Sequence, residues 1–307
     1  LLSRKRRCLG RLKNINVYFS DPDVILSDMY RLSLKDIIQL EFNHVGVLDF
    51  RAAGMIFNNV VDKKRRLALE FKSNSSDKFA LFLYDLLPRA VPLCFLEQYE
   101  ALKNQQKSLR SVKIVGSTVG WYFNETFKLF AAEAFLKGAR LIDFQYGGGF
   151  GMGLSIPTEK ISLEKDVFYT WGWREENNRK IRPLANPYLS RLNCIHKPLL
   201  NKLLFIGTGI HRYIPSFCNI LFPDDMAGYF KDKKIFFQSI KEEVQKVLLY
   251  RSYMEVGWNE IETVKKFMPG VELAQKGRLV DWMKKAKLVV IDHASTTFLE
   301  ALTINVP

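Results

Sequence analysis

Three short apolar runs that alternate with helical segments constrain the fold of this chain more than any other feature. They are the strand-like stretches at 139–144 (ARLIDF), 202–209 (KLLFIGTG) and 288–292 (LVVID). Each stretch has the length and composition of a buried strand. Strands alternate with helical segments in both halves of the chain, which predicts an α/β fold with two Rossmann-like domains and mainly parallel sheets.

Helical periodicity precedes the first of these strands. Residues 124–137 are predicted to form a helix, with Asn124 as its N-cap and Gly138 just beyond its end. Its apolar face consists of Phe127, Phe130, Ala131, Ala134 and Phe135. A second long helical stretch is predicted at about 235–250.

The length of 307 residues and the apolar content of 48% are typical of a globular protein with two domains. The proline-rich segment 182–198 predicts a hinge. We therefore expect one domain at 1–190 and another at 198–307, with a cleft between them. The chain begins at Leu1 and stops where a helix would lead into a further strand, so we expect both domains to be incomplete.

The net charge of +14 is compatible with nucleic acid, an anionic membrane surface or a phosphorylated small molecule as partner. The basic clusters lack the interleaved aromatic residues of a single-strand binding platform, so nucleic acid is not expected. Four widely spaced cysteines fit a reducing cytoplasm. No apolar run reaches the length of a transmembrane helix. We expect no metal and no other cofactor.

The segment VVIDHASTTFLEAL near the carboxyl terminus predicts an anion site. A strand delivers His293, Ser295, Thr296 and Thr297 to the start of a helix, where N–H groups and hydroxyls can bind a phosphate. Glu300 lies one turn further on and could reach the hydroxyls of a ribose. The alternative is that Ser295 or Thr296 only caps the helix and that Glu300 complements its dipole.

Five glycines follow the strand at 139–144. They are Gly147, Gly148, Gly149, Gly151 and Gly153. Their spacing fits neither the dinucleotide-binding pattern nor the P-loop pattern. The carboxyl end of a parallel strand is nevertheless where ligands bind in α/β sheets. The glycines are expected to allow close approach of the backbone to a ligand or a neighbouring domain.

Four segments in a fixed order resemble a bacterial family of transferases linked with surface-carbohydrate genes. These segments are FQYGGGFG, DVFYTWGW, YRSYMEVGWNE and LVVIDHASTTFLEALTINVP. The last one is similar to the donor-nucleotide motif of GT-B glycosyltransferases. The family usually has histidine where Tyr146 stands, and often aspartate before the Gly257-Trp258 pair, where this chain has Glu255-Val256.

The resemblance implies a GT-B arrangement with an acceptor-side domain at 1–190 and a nucleotide-sugar donor domain at 198–307. The glycine loop would then face the cleft, near the donor sugar or its leaving phosphate. Gln145 and Tyr146 are expected at the reaction centre. Arg251 is expected to pair with the donor phosphate, because a guanidinium suits phosphate oxygens, and Arg212 could reach the same cleft. A surface arginine at a helix end is the alternative for Arg251.

Inverting sugar transfer needs a base that deprotonates the acceptor hydroxyl. Four acidic residues lie at suitable loop or strand-end positions: Glu97, Glu125, Asp143 and Glu159. We favour Glu125 because it lies near the start of the helix at 124–137. Its alternative role is a partner of the helix dipole.

The predicted function is a cytoplasmic glycosyltransferase that moves a sugar from a nucleotide-activated donor to a surface-polysaccharide or glycolipid acceptor. Its acceptor is expected to be a carbohydrate or a lipid-linked molecule, and a lipid-linked acceptor would bring the enzyme into peripheral contact with the inner membrane. A polyol-phosphate transferase or a sugar-nucleotide epimerase of the same fold is an alternative. A non-enzymatic basic protein that binds polyanions or membranes is another.

Overall fold

The computed structural model describes residues 22–48, 50, 60–69, 76–105, 112–152, 157–192, 197–209, 211–213 and 223–307. These residues form two compact units. The first contains the described residues up to Phe144 together with Lys165–Val167, and the second contains Gln145–Glu164 and Phe168–Pro307. The predicted domains 1–190 and 198–307 do not coincide with these units, and they stay predictions.

The first unit is built on parallel strands. Its described strands are β1 (Val24–Ser27), β2 (Val45–Leu48), β3 (Ile114–Ser117) and β4 (Arg140–Phe144). They lie side by side in the order β2-β1-β3-β4, and each pair is parallel. Its described helices are α1 (Leu34–Phe42), α2 (Lys63–Leu67), α3 (Lys78–Ala90), α4 (Tyr99–Gln105), α5 (Gly120–Phe123) and α6 (Glu125–Leu136), with a 3₁₀ turn at Leu93–Phe95.

Helix α6 confirms the helix predicted at residues 124–137, and four of the five side chains predicted on its apolar face are buried. Asn124 caps the helix by accepting the Phe127 N–H at 3.1 Å, and Gly138 follows its end with a φ of 93°. The buried stripe consists of Phe127, Phe130, Ala131 and Ala134. Phe135, predicted on the same face, is 56% exposed. It lies one position beyond the stripe that packs on the sheet, where the side chain turns out of the core.

The second unit contains two sets of parallel strands. Strand β5 (Val167–Thr170) belongs to this unit from Phe168 onward, and its residues Phe168–Thr170 pair with β6 (Ile181–Pro183). A four-stranded sheet has the order β10-β7-β8-β9, with β7 (Leu203–Ile206), β8 (Leu248–Arg251), β9 (Glu272–Leu273) and β10 (Leu288–Ile291). The described helices are α7 (Pro157–Leu163), α8 (Pro187–Ser190), α9 (Met226–Ser239), α10 (Glu242–Gln245), α11 (Glu260–Phe267), α12 (Leu279–Lys285) and α13 (Thr296–Ile304).

The helix predicted at about 235–250 is wrong in its position. Helix α9 ends at Ser239, a short helix α10 follows, and Leu248–Arg251 form strand β8. Leu248, Leu249 and Tyr250 are all buried in the centre of the sheet. A continuous apolar run of this length does not distinguish a buried strand from a buried helix by periodicity alone.

The α/β class with parallel strands is confirmed, because every strand pair described within a unit is parallel. The strands predicted at 139–144, 202–209 and 288–292 correspond to β4, β7 and β10. The GT-B arrangement and its cleft stay predictions. Within the described residues, no helix combines the length and the apolar character that crossing a membrane requires.

Candidate functional site

The strand order of the second unit defines where its ligand site is expected. The chain passes from β7 to β8 and β9 on one side, and then returns to place β10 on the other side of β7. The crevice at the carboxyl ends of two strands where the order reverses is the usual binding place in such sheets. Here Gly207–Gly209 follow β7, and Asp292–Ser295 follow β10.

Helix α13 begins at this crevice. Ser295 is its N-cap, and the Ser295 hydroxyl accepts the Thr297 N–H at 3.3 Å. The predicted strand, turn and helix of this segment are therefore present. Glu300 is buried in the second turn, and the Tyr188 hydroxyl donates to its Oε1 at 2.5 Å. Tyr188 belongs to helix α8, so the carboxylate predicted to bind ribose also links two helices.

The glycine loop lies directly on the first turn of α13. The Gly148 N–H donates to the Thr296 Oγ1 at 3.0 Å. A Cβ placed on Gly148 would lie 2.6 Å from the Ser295 carbonyl carbon and the Thr296 nitrogen. Only glycine allows this approach without displacement of the backbone. The structure thus brings together the two segments from which the sequence predicts the donor site, although Gly153 lies outside the described residues.

Gln145 holds the glycine loop from the other side. Its Oε1 accepts the Trp171 backbone N–H at 2.8 Å and the Trp173 indole N–H at 2.9 Å, while its Nε2 donates to the Gly147 carbonyl at 2.6 Å. Gln145 is 2% exposed. The side chain predicted at the reaction centre therefore positions the loop. The neighbouring Tyr146 ring packs edge-on against Phe150.

The second half of the loop is anchored by an acidic residue. The Glu159 carboxylate, on α7, accepts the Gly151 N–H at 3.1 Å. Gly151 has a φ of 74° and packs against the Trp173 ring. A positive φ is easily adopted only by glycine, so this position shapes the loop. Gly149 lies between these two anchored points of the loop.

The other base candidates lie in the first unit and have structural partners. Glu125 pairs with Lys128 at 2.6 Å in the first turn of α6. Asp143 is buried and accepts the Tyr122 hydroxyl at 3.0 Å. Glu97 forms two hydrogen bonds with Arg66, which lower the pKa of Glu97 to about 2. These geometries leave the identity of the base as a prediction.

Arg251 ends strand β8 and contacts the loop that follows β9. Its guanidinium donates to the Ala274 carbonyl at 2.6 Å and to the Gly277 carbonyl at 3.0 Å. Burial lowers the pKa of Arg251. Two of its five N–H groups are therefore used within the chain. Arg212 donates to the Gly257 carbonyl at 3.3 Å and stacks over Trp258.

The segment MEVGWNE carries a second helix start. The Glu255 carboxylate accepts the N–H groups of Asn259 and Gly257, at 3.0 and 2.7 Å, and these bonds lower the pKa of Glu255. Helix α11 begins at Glu260. Glu255 thus supplies negative charge at the positive end of a helix dipole. This local role explains its position without reference to a ligand.

A buried polar cluster lies under the crevice and is absent from the sequence predictions. Its centre is Lys233 of α9, whose side chain is 1% exposed and whose Nζ donates to Glu260 at 2.8 Å and to Tyr250 at 3.0 Å. Lys233 Nζ lies 3.5 Å from the Asp292 carboxylate. The Tyr229 hydroxyl donates to the same carboxylate and accepts the Thr208 N–H.

The charges of this cluster shift its pKa values. Burial and the charge of Glu260 raise the pKa of Tyr250, and burial and the charge of Asp292 raise the pKa of Tyr229. Burial alone would raise the pKa of Asp292, but the His293 hydrogen bond and the Lys233 charge outweigh it and lower that pKa. Both tyrosines therefore stay protonated while Asp292 stays ionised at neutral pH.

A periodicity analysis could have found Lys233. The residues of α9 that are buried are Met226, Lys233 and Phe237, which are spaced by seven and four positions. This is the spacing of a buried helical stripe. A lysine on such a stripe is rarely buried without a charged partner. Among the described residues, no cluster of three or more His, Cys, Asp or Glu side chains could hold a metal ion.

The second unit of this α/β protein has a topological switch point between β7 and β10, and its glycine loop packs on the helix that follows β10. The chain belongs to the LIC12162 family transferases, which it matches over residues 2–307. The predicted membership of a transferase family is thereby confirmed. The comparison with curated proteins found no match.

Two solved structures are similar to this chain over most of its length. One is a Listeria monocytogenes protein assigned as a UDP-N-acetylglucosamine 2-epimerase, with a TM-score of 0.44 and 13% identity over 94% of this chain and 78% of that one. The other is S. aureus MnaA with UDP, with a TM-score of 0.42 and 10% identity over 88% of this chain and 74% of that one.

Proposed function

We propose that this transferase is a glycosyltransferase that moves a sugar from a nucleotide-activated donor to a surface-polysaccharide or glycolipid acceptor. One observation carries the proposal. The glycine loop and the start of α13, 148 positions apart in the chain, meet through the Gly148 and Thr296 hydrogen bond. Two segments assigned to the same ligand from sequence alone thus lie together at the carboxyl edge of a parallel sheet.

The hydroxyls at this point are suited to an anionic oxygen. The Ser295 and Thr296 hydroxyls each accept a backbone N–H within the chain. Each hydroxyl therefore keeps its own proton to donate to a phosphate. The positive end of the α13 dipole favours negative charge at the same place. We propose that Ser295, Thr296 and Thr297 contact the donor phosphate.

Glu300 and Arg251 are proposed to complete donor binding. The Glu300 carboxylate lies one turn into α13, and its contact with Tyr188 holds it in a defined position. Hydrogen bonds from ribose hydroxyls to this carboxylate would select a nucleotide over a simple phosphate. Arg251 uses two guanidinium nitrogens within the chain, and its remaining N–H groups would face the phosphate. The cytoplasmic location and the membrane contact stay predictions.

A thermal-shift screen against cytidine, uridine, guanosine and adenosine mono- and diphosphates tests this proposal. Binding stabilises by mass action, so the shift must grow with nucleotide concentration. The shift should fall in Thr296→Val and Glu300→Gln. Thr303→Val is the matched control, because Thr303 lies on the same helix and its hydroxyl only donates to the Leu299 carbonyl. Equal shifts in Thr296→Val and Thr303→Val would refute the donor site.

Turnover assays distinguish a glycosyltransferase from an epimerase and from a polyol-phosphate transferase. The proposed transferase releases nucleotide from a sugar donor only when a carbohydrate or lipid-linked acceptor is present. An epimerase interconverts the sugar nucleotide without acceptor, and a polyol-phosphate transferase consumes a polyol donor. Binding to many polyanions that disappears in moderate salt, without any nucleotide preference, would indicate a non-enzymatic role.

A further inference from the structure

The residue before the α13 turn is a histidine held by a carboxylate. His293 Nδ1 lies 2.9 Å from Asp292 Oδ1, and the His293 side chain is 26% exposed. Asp292 and His293 directly follow β10, at the switch-point crevice. The imidazole is therefore accessible and is oriented by a group that lies deeper in the protein.

The carboxylate is held in turn by the buried cluster. The other oxygen of Asp292 accepts the Tyr229 hydroxyl and lies 3.5 Å from Lys233 Nζ. Lys233 is fixed by Glu260 on the far side. Gly207 is packed so closely that a Cβ there would lie 2.7–3.0 Å from polar atoms of Tyr250, Glu260 and Lys233. Asp292 thus has little freedom to rotate away from His293.

This arrangement fixes the protonation pattern of the ring. An ionised carboxylate only accepts hydrogen bonds, so the Nδ1 of His293 must carry a proton toward Asp292. Nε2 lies on the opposite side of the imidazole and is the nitrogen available to a ligand. In catalytic triads a carboxylate in the same position holds the imidazole in one tautomer and one orientation.

We propose that His293 is the general acid of the transfer reaction and that Asp292, Lys233 and Tyr229 are its positioning residues. The inference rests on the proposed function. The bond between the anomeric carbon and the leaving phosphate oxygen breaks, and its electron pair goes to that oxygen. The proton on His293 Nε2 passes to the same oxygen. The acceptor oxygen forms the new bond, its proton leaves to solvent, and His293 remains neutral with a proton on Nδ1.

The charges around the imidazole support this role. Asp292 and Glu260 contribute two negative charges, and Lys233 contributes one positive charge. Tyr229 and Tyr250 are neutral because their pKa values are raised. His293 contacts this cluster through Asp292. This placement, next to Ser295 and Thr296, puts the acid on the leaving-group side of the donor.

The tautomer of His293 can be measured without a substrate. The protein contains four histidines, and His293→Gln assigns the ring resonances in ¹⁵N NMR spectra. At a pH where the rings are neutral, the wild type should carry the proton on Nδ1. Protonation on Nε2 in the wild type would overturn the proposal.

Asp292→Asn should change the tautomer. Tyr229 and Lys233 are both donors toward this side chain, so the asparagine oxygen must face them and its NH₂ must face His293. Nδ1 would then accept a hydrogen bond, and the proton would move to Nε2. Asp281→Asn, an exposed aspartate on α12, is the matched control and should leave the spectrum unchanged. An unchanged tautomer in Asp292→Asn would refute the positioning role.

Kinetics separate proton transfer from binding. With the sugar nucleotide whose nucleotide gives the largest thermal shift, His293→Gln should lower kcat by roughly 100- to 10,000-fold, the usual loss for a general acid. The Kd for the free nucleotide should change less than about threefold, because product binding needs no proton transfer. His44→Asn, on an exposed histidine of the first unit, is the control.

The outcomes are distinguishable. A loss of nucleotide affinity in His293→Gln equal to the loss of kcat would make His293 a phosphate-binding residue and refute the inference, while the proposed function would stand. Wild-type protein that binds none of the nucleotides would refute the proposed function and this inference together. Retained kcat in His293→Gln would refute the inference alone.

Discussion

Replacement of Gly148 by alanine should lift the glycine loop off helix α13. The added Cβ would lie 2.6 Å from the Ser295 carbonyl carbon and from the Thr296 nitrogen, and 2.7 Å from the Ser295 oxygen. All three are backbone atoms of a helix start, which cannot rotate aside as a side chain can. The loop must therefore move, and the Gly148 hydrogen bond to Thr296 must break.

Gly147→Ala is the matched control. A Cβ at Gly147 would meet only the Thr296 Oγ1, at 4.0 Å, which is ordinary contact. Neither Gly147 nor Gly148 is among the glycines with positive φ, so alanine fits both backbones. The entropic gain of about 0.4–1 kcal/mol from a stiffer unfolded chain is common to both variants and cancels in the comparison.

Two contributions determine the expected difference in the free energy of loop opening between Gly148→Ala and Gly147→Ala. The lost hydrogen bond contributes about 1 kcal/mol. Overpacking against atoms that cannot relax costs about 1–3 kcal/mol. The loop of Gly148→Ala should therefore open more readily than that of Gly147→Ala by about 2–4 kcal/mol, which is at least about 30-fold in the opening equilibrium.

Hydrogen exchange is the suitable assay, because it reports local opening and needs no two-state unfolding of the whole chain. Peptides that cover residues 145–152 and 293–300 should exchange faster in Gly148→Ala than in Gly147→Ala and wild type. Peptides from α6 serve as an internal control and should not change. Equal exchange of the loop in the two alanine variants would refute the close packing of the loop on α13.

Three further predictions concern other interactions. Glu97 has a pKa of about 2 because Arg66 binds it, so its contribution to stability is present above the ordinary value of 4.5 and is lost as the pH falls toward 2; Glu97→Gln should remove this acid dependence in thermal unfolding followed by circular dichroism. Lys233→Met leaves the buried Glu260 carboxylate without its cationic partner and should destabilise the second unit by about 3–5 kcal/mol in calorimetry, with partial recovery on adding Glu260→Gln. Gln145→Leu removes the acceptor of two part-buried N–H groups, at a cost of up to about 1–3 kcal/mol each, and should change tryptophan emission and speed loop exchange.

The elements that the sequence predicts correctly have strong local signals. Helix α6 has an asparagine cap, a buried stripe and a terminal glycine, all between residues 124 and 138, so no distant contact is needed to define it. Strands β4, β7 and β10 are short apolar runs with polar or small residues at their ends. Strand β8 has a similar run, but it follows a helix without a clear stop signal, and its strand character depends on its pairing with β7.

In the candidate site, too, the sequence predicts the local features but not the contacts between distant segments. The Ser295 cap and the start of α13 are local features, and the sequence predicts them because a cap and its helix are adjacent in the chain. The contact of Gly148 with Thr296 is a pairing of distant segments, and glycine spacing alone cannot indicate which surface the loop approaches. Gln145 shows the same limit, since its role depends on two tryptophans more than twenty positions away.

The polar cluster around Lys233 consists of residues that no sequence motif connects. Its members come from α9, β8, the start of α11 and the end of β10, and no two of them form a recognised motif. Their common property is that they place charged groups inside the protein. A buried charge is tolerated only when a group of opposite charge or a hydrogen-bonding group contacts it in the folded state. A lysine on a helical stripe that is otherwise apolar is therefore a sequence signal for a buried counter-charge. In this chain that counter-charge includes Asp292, which orients the histidine next to the proposed phosphate site.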